Sequence, residues 1–183
     1  VEVSTAITIV FTWIHTLFIP VLGLEIATMS LTGRFIGARD PNNASDSIFS
    51  GLSLASVYAL IISSVCLFAP SEMVGMFLET DSAAEINDLA LWGTQLYAFM
   101  VFIMAWSAIL GGALRGAGDP YGTMTISAVF WWLQYAMVVI LIRLFELSPG
   151  VVLGIHIFSS PLLLFAMIGR FRSGAWRKFE LIG

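Results

Sequence analysis

The chain has 183 residues, of which 58% are hydrophobic and 11% charged, with a net charge of −4 and a mean hydropathy of +0.93. Soluble domains carry roughly a quarter of their residues as charges, so this composition excludes an ordinary soluble domain and defines a membrane protein. The net charge says little about partners, because charges in such a chain are sorted by side of the membrane.

Five stretches carry no Asp, Glu, Lys or Arg: residues 3–24, 47–71, 89–114, 120–142 and 147–169. Each exceeds the roughly 20 residues that cross a hydrocarbon core of about 30 Å. Lipid offers the backbone no hydrogen-bond partner, so spans of this length are expected as helices rather than barrel strands. The expected fold is all-α, a polytopic membrane helix bundle of about five transmembrane helices. Arg34, Arg39, Arg115, Arg170, Arg172, Arg177 and Lys178 gather at one end of these spans, whereas the opposite connections hold only Arg143. Positive residues stay inside, so the first span is expected to run from outside to inside and the C-terminus to be cytoplasmic. A start at Val1, with no charged n-region and no cleavage site, reads as that of a fragment. Cys66 lies in an apolar run and reads as a small buried residue, with no disulfide framework around it.

The first helix is expected over about residues 4–33, with Pro20 in its middle as a kink and hinge candidate. The turn Gly37-Ala38-Arg39-Asp40-Pro41 then stops one helix and starts the next, over about 44–68. Ser50, Gly51, Ser53, Ala55, Ser56, Ala59, Ser63 and Ser64 dot that helix and predict close packing on several sides. Pro70 ends it, and the apolar residues of 71–79 are expected along the outer interface as a short amphipathic turn. Ser82 and Glu85 form a capping box for a third helix over about 83–114. At residues 111–120 the chain reads Gly-Gly-Ala-Leu-Arg-Gly-Ala-Gly-Asp-Pro, an inner hairpin turn. Gly116 and Gly118 are expected in left-handed geometry, Asp119 as the cap of the next helix and Pro120 as its first residue. Gly-Ala-x-Asp-Pro thus occurs twice, 79 residues apart, as a weak repeat. The fourth helix is expected over about 121–144, Ser148-Pro149-Gly150 as an outer turn, and the fifth helix over about 151–170 with Pro161 as a second hinge candidate. The tail, 171–183, carries Arg172, Trp176, Arg177 and Lys178, a cluster suited to the headgroup layer and too short to read as a nucleic-acid site.

Gly33-Arg34-Phe35-Ile36-Gly37-Ala38 followed by Ala44, the Gly-Ala-Leu-Arg-Gly-Ala-Gly-Asp turn, and Arg170-Phe171-Arg172-Ser173-Gly174-Ala175-Trp176 resemble the second half of a multidrug and toxic compound extrusion (MATE) transporter. The resemblance covers about residues 20–178, and the Leu-Arg-Gly-x-Gly-Asp turn is its most specific piece. It implies a full protein of two six-helix lobes around a central cavity, in a bacterial-type inner membrane or a plasma membrane. That protein would be a secondary active antiporter exporting organic cations or other amphipathic compounds by alternating access, driven by H⁺ or Na⁺. The partners implied are the missing N-terminal lobe, small amphipathic or cationic substrates and membrane lipids, with no cofactor beyond the coupling ion. Some sodium-coupled members carry a carboxylate inside the helix before the Leu-Arg-Gly turn; here none lies between Asp88 and Asp119.

Glu25 is the coupling-ion candidate. It lies nine residues before Arg34, or roughly 13 Å along a helix at about 1.5 Å per residue, where an ionised carboxylate costs about 3 kcal/mol to insert. The alternative is a water-facing Glu near the inner mouth. Tyr97, Met100 and Met104, at helical spacing with Ser107 and Gly111, and Gln95 beside Trp106, are substrate-cavity candidates, since methionines and aromatics form adaptable surfaces for apolar or cationic guests. Trp131 and Gln134 join them. All of these also suit an ordinary core. Arg115 reads as an inner-turn anchor or lipid contact. His15 and His156 have no second ligand at metal spacing, and no metal site is expected. Rival readings are a lipid-linked saccharide flippase, which would need cationic residues along its cavity to meet pyrophosphate, an integral-membrane enzyme, for which no catalytic constellation appears, and a non-transporting fragment.

Overall fold

A computed structural model describes residues 2–75, 84–145, 149–174 and 176. They form seven helices: α1 (Glu2–Gly37), α2 (Pro41–Phe68), α3 (Pro70–Gly75), α4 (Ala84–Gly116), α5 (Pro120–Phe145), α6 (Pro149–Ser159) and α7 (Pro161–Arg172). Four of them contain windows long and apolar enough to cross a membrane, His15–Gly37, Pro41–Phe68, Ala90–Gly116 and Pro120–Arg143. The chain is an integral membrane protein with a polytopic α-helical fold.

α4 is the hub and touches each of the other helices. Its buried residues Ala105, Ile109, Leu110, Ala113 and Leu114 meet Val21 of α1, Ile48, Leu52 and Ala55 of α2, and Met167 of α7 in one core cluster. Without a hydrophobic force between helices in lipid, close packing and interhelical hydrogen bonds must hold them. Tyr58 donates from its hydroxyl to the Leu17 carbonyl (2.6 Å), Ser63 to the Ala98 carbonyl (2.6 Å), and the Trp106 indole to Ser56 Oγ (2.9 Å).

Both Gly-Ala-x-Asp-Pro turns form the same closure. The amide N–H of Asp40 bonds back to the Phe35 carbonyl and that of Arg39 to Ile36; the amide of Asp119 bonds to Leu114 and that of Gly118 to Arg115. This 6→1 and 5→2 pair is the Schellman ending, which places its next-to-last residue in the left-handed region. Gly118 sits there at φ 93° and Arg39 at φ 58°. Gly116, expected with positive φ, is instead the last residue of α4; its role is steric, as the site below makes plain. Asp119 accepts from the Gly122 amide (3.1 Å) and Pro120 opens α5, as expected of a capped start. Asp40 likewise accepts from the Asn43 amide (3.1 Å).

Four expectations are corrected. The fifth span is two helices rather than one: α6 and α7 meet at Ser160. Pro161 has no N–H and its ring would crowd the carbonyl four residues back, that of Ile157, which accepts instead from the Ser160 amide (3.1 Å) and hydroxyl (2.6 Å). Pro20, by contrast, lies inside one continuous α1, as expected. α2 buries one face, Ala44, Ile48, Gly51, Leu52, Ala55, Ala59 and Cys66, and exposes Leu54, Val57, Ile61 and Phe68, so its small residues serve one seam rather than several. α3 turns Met73 and Val74 inward rather than along an interface. Trp176 is buried too, stacked on Phe171 at 5.2 Å with its indole N–H donated to the Phe171 carbonyl, not spread into a headgroup layer. The Ser82–Glu85 capping box, Ser148, the His156 side chain, Arg177 and Lys178 lie outside the described residues.

Candidate functional site

The site begins where α1 and α4 run parallel in close backbone contact. A Cβ on Gly116 would sit 2.1 Å from the Met29 carbonyl oxygen, and one on Gly112 would sit 2.9 Å from the Glu25 carbonyl oxygen and 2.8 Å from Glu25 Cγ. Across from them a Cβ on Gly33 would lie 3.0 Å from the Gly116 carbonyl oxygen. Glycines one turn apart on α4 thus admit the backbone of α1 along residues one turn apart. Gly112-x-x-x-Gly116 is the sequence signal for this seam, which the reading of Gly116 as a turn residue passes over.

The seam sets Glu25 level with Gly112, one turn before the end of α4, about 6 Å at 1.5 Å per residue. There its carboxylate accepts from the guanidinium of Arg115 and forms an ion pair with it. The Glu25 side chain is 16% exposed and that of Arg115 37%. Thr28, one turn on, donates to the Leu24 carbonyl (2.8 Å). At the other end of the same turn the Arg170 guanidinium grips Asp119 with two bonds, Nε to Oδ2 at 2.6 Å and Nη2 to Oδ1 at 3.1 Å. A Cβ on Gly122 would lie 2.5 Å from Asp119 Oδ1, so glycine there leaves the room this pair occupies. Neither ion pair was legible in the sequence; each joins residues far apart along the chain.

Beside the pair, residues of α1, α4, α5, α6 and α7 line an open cavity of about 340 Å³. Four sequence candidates line it, Tyr97, Met100, Met104 and Trp131. So do Phe18, Phe130, Met167, Ser107, Ser127, Ser160, His15 and Arg115, the last of which the sequence reads as an anchor. The remaining candidates lie elsewhere. Gln95 is exposed on α4. Trp106 stacks on Phe102 at 5.6 Å and bonds to Ser56, facing α2. Gln134 is buried against the α6–α7 break, where its amide donates to Ser159 Oγ (2.5 Å), and lines a second apolar groove of about 400 Å³ between α5 and α7. Of the hinge candidates, Pro161 stands at the helix break bordering the cavity at Ser160, and Pro20 is exposed on α1. No group of three or more His, Cys, Asp or Glu side chains could hold a metal among the described residues.

An apolar cavity walled largely by aromatics and methionines can hold an apolar or amphipathic guest of varied shape, and a cation by its ring faces. The arrangement is a helix-lined cavity in a polytopic membrane chain, beside a partly buried ion pair. The chain belongs to the MatE family, whose model matches residues 3–140. Relatives include a probable multidrug resistance protein NorM of Thermotoga maritima, 24% identical over 167 residues that make up 88% of this chain and 34% of that protein. A probable multidrug resistance protein NorM of Mannheimia succiniciproducens is 27% identical over 63% of this chain and 24% of its own length. A multidrug resistance protein NorM of Burkholderia vietnamiensis is 28% identical over 63% of this chain and 25% of its own. The chain spans a quarter to a third of the length of these relatives.

Proposed function

We propose that the chain is the larger part of the second lobe of a secondary active antiporter that exports organic cations or other amphipathic compounds by alternating access, with H⁺ or Na⁺ as driving ion and a first lobe as its partner. The C-terminus is cytoplasmic in this reading, in a bacterial-type inner membrane or a plasma membrane. The observation that carries it is the cavity of about 340 Å³ walled by Tyr97, Met100, Met104 and Trp131 and closed at the turn end by Arg115. The multidrug names of the relatives agree with it. Glu25 is the coupling carboxylate in this reading, because an intramembrane carboxylate changes its interaction energy steeply when its counter-ion or its hydration changes. Arg115 on the cavity wall is the one feature in favour of a flippase for anionic lipid-linked saccharides. Its charge is already matched by Glu25, so an anion gains little there.

The test is efflux of a fluorescent organic cation by the full-length protein, wild type against Glu25→Gln, under imposed pH and sodium gradients. Export by wild type that Glu25→Gln uncouples from its driving gradient, with folding intact, supports the reading. Normal export by Glu25→Gln moves the coupling to the other lobe, and no export of any organic cation by wild type refutes the drug-efflux reading.

A further inference from the structure

The two partners of the intramembrane ion pair stand differently toward the cavity. Arg115 lines it and Glu25 does not. The Glu25 stem is held against Gly112, where a Cβ would come within 2.8 Å of its Cγ, and its backbone is held by the glycine seam. Arg115 springs from the last turn of α4 on a long flexible stem, with its Nη1 3.5 Å from where a Cβ on Gly111 would sit. Arginine is therefore the partner able to move, and the carboxylate is the fixed one. No carboxylate is among the residues that line the cavity; their titratable groups are His15, Tyr97 and Arg115. A cation entering the cavity meets its nearest carboxylate behind a guanidinium.

Resting on the export reading above, we infer that Arg115 is an internal stand-in for the transported cation, occupying Glu25 while the cavity is empty and giving way when a cationic guest takes its place. The exchange is of one positive charge for another at a fixed carboxylate, so the buried charge stays balanced throughout. Leaving Glu25 unpaired would carry the full penalty of a lone buried charge. Swapping partners avoids that state, and the vacated guanidinium lies one residue from the end of α4, within reach of water and lipid headgroups. Arg115 in this role sets affinity: it competes with every cationic guest and with no neutral one.

The test is binding of tetraphenylphosphonium, a lipophilic cation, to the purified full-length protein in lipid nanodiscs. Arg115→Gln removes the competitor and is expected to tighten binding about tenfold. Glu25→Gln removes the shared carboxylate and is expected to weaken binding about tenfold, and Glu25→Gln with Arg115→Gln to bind no better than Glu25→Gln alone. Arg115→Lys, which keeps a cation but loses the planar fork, is expected to tighten binding by about threefold and serves as the reading if Arg115→Gln does not fold. If wild type binds the cation and neither arginine variant binds it more tightly, the stand-in role is refuted while the export reading survives. If no form binds it, both fall together.

Discussion

Replacing Gly116 with alanine tests the claim that backbone contact, rather than side-chain fit, holds α1 to α4. The new Cβ would lie 2.1 Å from the Met29 carbonyl oxygen, against a floor of 3.0 Å below which such contacts are essentially never seen. The obstacle is backbone on both sides, so no rotamer relieves it, and the helices must part by about 0.9 Å locally. Overpacking of this kind costs about 1–3 kcal/mol, and a clash with a helical carbonyl belongs at the upper end. Alanine returns at most about 1 kcal/mol through its helix propensity, less at the last residue of a helix, which leaves a net loss of at least about 2 kcal/mol, or roughly 30-fold in the folded population. Gly23→Ala is the matched control: it lies in α1 with nothing within 4 Å of the added Cβ, so it keeps the propensity gain and incurs no clash. Thermal unfolding of the two variants in one detergent should therefore shift in opposite directions. Gly116→Ala unfolding at or above the wild-type temperature would refute the seam. Since the seam also sets the position of Glu25, the same variant is expected to weaken cation binding.

The two left-handed turn positions should respond with opposite signs. Gly118→Ala, at φ 93°, destabilises by about 1–2 kcal/mol, whereas Arg39→Gly, at φ 58°, gains a few tenths to about 1 kcal/mol once the entropy of glycine is set against relief of strain, both read as unfolding midpoints. Asp119→Asn keeps a capping oxygen and loses the charge gripped by Arg170, while Asp119→Ala loses both; the alanine variant is expected to be less stable than the asparagine variant by about 1 kcal/mol. Asp40 is held below its usual value of 3.8 by hydrogen bonds from the Asn43 amide and side chain. Its folded form therefore binds its proton less readily than the unfolded chain, so the stabilisation is whole above about pH 4 and fades as pH falls through the lowered value. Asp40→Asn retains a cap and should flatten that acid limb of a pH–stability profile; an unchanged limb would assign the effect to another carboxylate.

What the sequence made legible was what a few neighbouring residues decide. The two Gly-Ala-x-Asp-Pro turns were readable because a left-handed stop, an Asp cap and a Pro start act within six residues. Pro20 and Pro161 show where that logic ends. Both delete one helical hydrogen bond, yet only Pro161 divides its helix. It follows Ser159 and Ser160, and the Ser160 hydroxyl takes the Ile157 carbonyl while Gln134 of α5 holds Ser159. Such hydroxyls compete with the helical ladder, and Phe18-Ile19 before Pro20 offer none. Of the cavity candidates, Tyr97, Met100 and Met104 share one face of α4 and were placed together by periodicity. Trp106 and Gln95, on the same helix, were separated from them only by which neighbour α4 presents to each face. The Glu25–Arg115 pair depends on the register of α1 against α4, which the glycine spacing encodes but composition does not.

The repeated turn shows how one local structure comes to hold two different positions. Asp40 and Asp119 cap their helices alike, but Asp40 pairs with Asn43 within its own turn and Asp119 is gripped by Arg170 of α7, with its side chain only 5% exposed. Four residues before Asp119, Arg115 reaches α1. The helix dipole favours a cation at the end of α4 and an anion at the start of α5, so both charges stand where their own helices want them, and each then finds a partner of opposite sign on a different helix. The α4–α5 turn is thereby tied to α1 through Arg115 and to α7 through Asp119. Release of Arg115 from Glu25 cuts one tie and leaves the other, so α4 and α5 stay tied to α7 at Asp119, while α1 stays held by the glycine seam and by the Tyr58 bond from α2 to its Leu17 carbonyl. Loss of the Glu25 pair is therefore expected to move the Arg115 side chain at the turn end of α4 and to leave the seam between α1 and α4 in place.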